Sequence, residues 1–199
     1  MKRQTHSAFS LIELLIVISL MGILLVLTVP AVTATLEGNN ITRAGQIAAD
    51  QIALARQIAS TRNLGAEVRF IKIPSRSASG YSALQVWTTD SRGQSSPANK
   101  VVVLPEGIAV SDRPTVSPLF SVPQAPTGSM PSGPYTGQSY GGIRLRASGA
   151  VSPPPAASDR ASLYITLVNS RLAGNSDVPA NYLTLQINPD TGNTEIYRP

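Results

Sequence analysis

From Phe9 to Val29 almost every position is apolar, and Glu13 is the one charge in the run. About 21 residues at a rise of 1.5 Å make a helix of roughly 32 Å, enough to cross a hydrocarbon core of about 30 Å. Pro30 follows at once. It either ends this helix or marks a hinge in a longer one, because proline removes a backbone hydrogen bond and crowds the preceding turn. From Ile41 to Thr61 the pattern becomes one-sided: Ile41, Ala44, Ala48, Ile52, Ala55 and Ala59 recur at helical spacing, flanked by Ile47, Leu54 and Ile58. Arg43, Gln46, Asp50, Arg56 and Gln57 take the other faces. That pattern predicts an amphipathic helix that ends near Asn63 and Gly65 and packs on a sheet.

Beyond Gly65 the period shortens. Ala66 to Ile73 and Tyr81 to Thr89 read as strands, with the Ser/Gly-rich stretch between them as a hairpin loop. Val101 to Leu104, Ile108 to Val110, Ile143 to Leu145 and Leu163 to Val168 are shorter candidates. Tyr182 to Ile187 and Thr194 to Tyr197 flank Asn188-Pro189-Asp190-Thr191-Gly192-Asn193, a run suited to a tight reversal. Asp190 reads as a turn residue rather than a calcium ligand, since no carboxylate stands near it in sequence. Between Ser111 and Gly142 six prolines mixed with Ser and Gly deny regular pairing and predict a long surface loop, and Val151 to Ser158 repeats the habit. The expected fold is α+β: a long N-terminal helix, half spanning and half amphipathic, on a small, mostly antiparallel sheet.

Composition narrows the chemistry. Charged residues are 14% of the chain and there is no Cys, which excludes disulfides, thiolate catalysis and cysteine-bound metals. The sole histidine, His6, lies ahead of the apolar run, and the carboxylates are scattered singly, so no catalytic residue and no metal site is expected. No cofactor is called for. The formal charge of +5 comes from dispersed Lys and Arg without interleaved aromatics, so no nucleic acid is expected as a partner.

Lys2 and Arg3 precede the apolar run and no further Lys or Arg occurs until Arg43, which places the N-terminus in the cytoplasm and the remainder outside. Three readings fit this start. A secretory signal peptide would be cut after Val32-Thr33-Ala34 and release an exported binding protein, although the apolar run is long for one. A plain anchor fits the length but gives Glu13 no purpose. The third rests on Ala8-Phe9-Ser10-Leu11-Ile12-Glu13-Leu14: a short basic leader, a Phe, and a Glu at the fifth position counted from that Phe.

This segment closely resembles the processing motif of type IV pilins and of the pseudopilins of type II secretion. The resemblance implies that a membrane-embedded prepilin peptidase cuts between Ala8 and Phe9 and methylates the new amine of Phe9. It also implies a leader at 1–8, a membrane helix at 9–30, an amphipathic stalk at 31–63 and a β-rich head at 64–199 carrying the 111–142 loop. Ala8 stands where the family usually has Gly. Pro30 sits where the family often has a helix-kinking proline. Leu104-Pro105-Glu106-Gly107-Ile108 and the closing hairpin resemble the head of minor pseudopilins of the H type, and the chain end resembles the pilin-like D member of the Verru_Chthon cassette. The implied partners are the peptidase, other pilin-like subunits joined through the Phe9 amine and Glu13, an inner-membrane assembly platform and membrane lipid. The implied location is the inner membrane with a periplasmic head, then a filament. No catalytic residues are implied.

Overall fold

The computed structural model describes residues 10–123 and 125–199, and at 27–35 the backbone alone. Helix α1 runs Leu11–Arg62, followed by ten strands: β1 Gly65–Ile71, β2 Ala83–Thr89, β3 Ser95–Pro97, β4 Val102–Val103, β5 Ile108–Val110, β6 Thr127–Ser129, β7 Ser139–Leu145, β8 Tyr164–Asn169, β9 Leu183–Ile187 and β10 Thr194–Tyr197. The chain divides into two compact units, one ending at Glu37 and the other spanning Gly38–Pro199. The backbone of α1 is helical through position 30, so Pro30 does not end the helix.

In the second unit, Ile41, Ala44, Ala48, Ile52, Ala55 and Ala59 are completely buried. Their three- and four-residue spacing puts them on one face. Four of those six are alanines, so the backbone of α1 lies close to what it covers. At Gly45 an added Cβ would stand 2.7 Å from Leu183 Cδ2. The helix ends as the sequence predicts: Asn63 adopts a left-handed φ of 51° and the Leu64 N–H donates to the Ala59 carbonyl at 3.1 Å. That six-to-one bond satisfies a carbonyl the helix could not.

Two antiparallel sheets face this helix, where the sequence suggested one. The first has the order β3-β2-β1-β7-β6 with β4 also on β2; the second is β10-β9-β8-β5. Val68 and Phe70 of β1, Val86 of β2 and Ile143 of β7 meet Ile165, Leu167, Leu183 and Leu185 of the second sheet and the helix face in a single core. Tyr81, expected to open β2, instead exchanges two 2.8 Å backbone hydrogen bonds with Val110 and joins the two sheets. The β9–β10 reversal forms as expected, closed by Asn188 N–H to the Asn193 carbonyl at 2.8 Å. Its side-chain brace is Asn188, whose Oδ1 accepts from the N–H of Asp190 and of Thr191.

The 111–142 segment departs from its expectation. Pro118 opens a 3-10 turn, Pro118–Ser121, that buries Leu119. β6 pairs with β7, Thr127 opposite Gly141 and Ser129 opposite Ser139. Proline forbids a ladder bond only at its own nitrogen. The paired residues fall between Pro126 and Pro131, so the prolines leave them free. Met130 then tucks against Ile71, Ile73, Ala83 and Trp87 on the far side of the first sheet. β3 is a further element that the sequence pattern does not announce; its turn is held by Asp90 Oδ1, which accepts from the N–H of Arg92 and of Gln94.

Gly142 lies where β7 crosses β1, and a Cβ there would come within 2.3 Å of the Val68 carbonyl oxygen. Gly142→Ala is expected to lower stability by about 2–3 kcal/mol, whereas Gly65→Ala, whose Cβ would meet nothing within 4 Å, changes it by less than about 0.5 kcal/mol. Denaturant midpoints of the two variants in detergent check this.

Candidate functional site

Ala8 and Phe9 lie outside the described residues, as does the whole 1–8 leader. The site is therefore built from Ser10 onward. Ser10 precedes the helix, and its carbonyl accepts from the Leu14 N–H at 3.2 Å, so the first turn closes on it. Glu13 stands in that turn. A carboxylate there complements the unsatisfied N–H groups of the helix start, an effect of about 0.3–1 kcal/mol. Glu13 is exposed, and among the described residues no cation pairs with it.

The rest of this stretch is apolar around its full circumference. Exposure is 82% at Leu11, 61% at Ile18 and 74% at Val26, and even the least exposed, Val17, shows 38%. The polar groups are self-contained: Ser19 Oγ donates to the Leu15 carbonyl at 2.8 Å. Burying a side chain of this size is worth about 1.5–3 kcal/mol, so leaving 13 of them in water costs on the order of 20 kcal/mol or more. That exceeds the whole stability of a typical domain. Among the described residues nothing covers this surface, and lipid or other helices would do so. Among the described residues no helix is long and apolar enough to cross a membrane; side chains of this run are described up to Val26 and again from Leu36.

The second unit holds a charged cluster that sequence reasoning missed. Glu67 and Arg69, two apart on β1, point to the same face of the first sheet, and both are buried. Arg69 Nε donates to Glu67 Oε1 at 2.6 Å and Arg144 Nη2 to Oε2 at 2.9 Å. The Arg69 guanidinium lies between two rings, 4.1 Å from the Trp87 centroid and 4.4 Å from that of Tyr140. Burial, and then the nearby Glu67 charge, raise the Tyr140 hydroxyl above its ordinary pKa. The only hint in the sequence was Glu-x-Arg within a strand; Arg144 is 77 residues away. Both carboxylate oxygens of Glu67 are thus occupied by guanidinium donors, and the arrangement is structural packing. Among the described residues no set of three His, Cys, Asp or Glu could hold a metal ion. Asp190 pairs with Arg160 at the surface. Lys72 Nζ donates to Asp112 at 2.6 Å, and burial followed by the Asp112 charge pushes the Tyr81 hydroxyl up to about 12.

Removing the Glu67 carboxylate leaves the buried Arg69 guanidinium without a counter-charge. Glu67→Gln is expected to lower stability by about 3 kcal/mol and Arg160→Ala, at an exposed pair, by less than about 1 kcal/mol, read from denaturant midpoints. Tyr81 gives a pH dependence with a definite sign. Its folded form holds the proton above the unfolded value of 10.0, so stability is full below pH 10 and falls as pH rises toward 12. Tyr81→Phe is expected to flatten that alkaline limb in a pH series of melting temperatures.

Residues 3–29 match the family described as the prokaryotic N-terminal methylation motif. Two solved structures are similar to the chain. One is the type IV minor pilin FimU of Pseudomonas aeruginosa, with 11% identity, a TM-score of 0.46, and coverage of 81% of this chain and 93% of that one. The other is the minor pseudopilin EpsH of the type 2 secretion system of Vibrio cholerae, with 11% identity, a TM-score of 0.45, and coverage of 80% and 98%. No curated protein shows significant similarity to the sequence. The matched stretch runs into a helix whose described side chains are apolar on all sides up to Val26, and the chain carries the prokaryotic N-terminal methylation motif ahead of an α+β fold of antiparallel sheets.

Proposed function

We propose that the chain is a prepilin that matures into a pilin-like structural subunit, a minor pseudopilin of a type II secretion-like or type IV pilus-like filament. One observation carries this reading: the methylation motif lies on a helix with apolar side chains on every side and a lone carboxylate in its first turn. A prepilin peptidase cuts between Ala8 and Phe9, removes the basic leader and methylates the Phe9 amine. The apolar helix then anchors the subunit in the inner membrane, its head in the periplasm, until an assembly platform moves it into the filament. Loss of Lys2 and Arg3 leaves 14 basic and 11 acidic side chains, a formal charge of +3.

Cleavage creates an ammonium at the start of the helix, and Glu13 is its counter-ion on a neighbouring subunit. An isolated carboxylate at mid-bilayer costs about 2.5–3.5 kcal/mol, and a cation brought beside it offsets that cost. The pair fixes the axial stagger between helices, while the apolar surfaces supply adhesion without direction. Pro30 serves as a hinge at which the rod adapts on entering the filament, since its missing N–H weakens the turn that contains it. The subunit works mechanically, as the substrate of a processing enzyme and not as an enzyme.

Mass spectrometry of the native protein tests the reading: a chain beginning at N-methylated Phe9 is expected. A chain beginning at Met1, or at Thr35 after signal-peptide cleavage, overturns it. Glu13→Ala is expected to be cleaved like the wild type yet recovered at least about tenfold less often in sheared filaments. Wild-type recovery of that variant removes the pairing role from Glu13.

A further inference from the structure

Gly38-Asn39-Asn40 is, after the run containing Pro30, the poorest helix-forming run in α1, and it lies where the second unit begins. Glycine frees the backbone, and asparagine competes for backbone hydrogen bonds. The run is nevertheless helical. Downstream, buried Ile41 and Ala44 fix the helix to the core. Upstream of them the hold comes from the other end of the chain. Thr42 Oγ1 donates to the Gly38 carbonyl at 3.1 Å and accepts from Arg198 Nη1, so a guanidinium, a hydroxyl and a helix carbonyl are connected in series. The guanidinium polarises the hydroxyl and so strengthens its bond to the carbonyl. Gly38 gives the arginine room, because a Cβ there would stand 3.1 Å from Arg198 Nη2. Asn40 Nδ2 adds a weak contact, at 3.5 Å, to the Glu106 carbonyl.

We propose that Arg198 is a clasp that keeps the Gly38–Asn40 run of α1 helical, so that release of Arg198 opens this run while the core-packed helix from Ile41 onward stays closed. Strand β10 presents the clasp, since Arg198 follows directly on its last residue, Tyr197. The glycine that makes the turn weak also admits the side chain that holds it. The clasp stands whether or not the chain enters a filament.

Hydrogen exchange on the full chain in detergent micelles tests it. Arg198→Ala is expected to speed exchange of the Asn40–Thr42 amides by about threefold or more and to leave those of Ala48–Ala59 unchanged. Thr42→Val is expected to have the same effect, Thr42→Ser to retain wild-type rates, and Arg198→Ala combined with Thr42→Val to go no further than either alone. Unchanged exchange in Arg198→Ala overturns the clasp. So does a double variant whose effect is the sum of the two, because independent contacts add and a series does not.

Discussion

One helix here has to satisfy two different surroundings, and the rest of the structure depends on that constraint. Up to Val26 its side chains are apolar on every side and exposed, whereas from Ile41 it is apolar on one face, which the two sheets cover. Among the described residues nothing covers the first half, so its stability is a property of the surroundings. The second half is covered by a core drawn from almost the whole remaining sequence. The division into two units between Glu37 and Gly38 falls between these regimes.

Within the second unit, close approach depends on small residues. Alanines along the buried face and Gly45 against Leu183 let the helix settle onto β9, and Gly142 lets β7 lie against the Val68 carbonyl. Tyr81 joins the sheets through its backbone to Val110, and its ring lies 4.4 Å from Phe120 of the Pro118–Ser121 turn. Phe120 in turn meets Phe70 edge-on at 5.4 Å. The far face of the first sheet is closed by different means. Arg69 is held between Trp87 and Tyr140 and neutralised by Glu67, which lets charged residues occupy positions that a sheet would otherwise fill with aliphatic ones.

Local features were the ones legible in the sequence. The helix face from Ile41 to Ala59 and its stop at Asn63 come from spacing and from one residue that tolerates a left-handed backbone. The closing hairpin was legible in its Asn, Pro, Asp and Gly, although the residue that braces it, Asn188, was not singled out. The apolar run with Glu13 was equally plain, because its message needs no tertiary contact. Illegible were features made by distant partners. Nothing near Glu67 announces Arg144, and nothing near Thr127 announces Gly141 as its partner across the ladder; proline density hid a pairing that the prolines only border. A second sheet cannot be counted from strand signals when its members are interleaved with those of the first.

The last residues of the chain come back to the turn where the second unit starts, Arg198 reaching Thr42 and lying over Gly38. The first and last residues of the second unit are therefore neighbours. Anything appended after Pro199, such as a fluorescent reporter or an affinity tag, would be mounted beside Gly38 and Thr42 and would load the clasp itself.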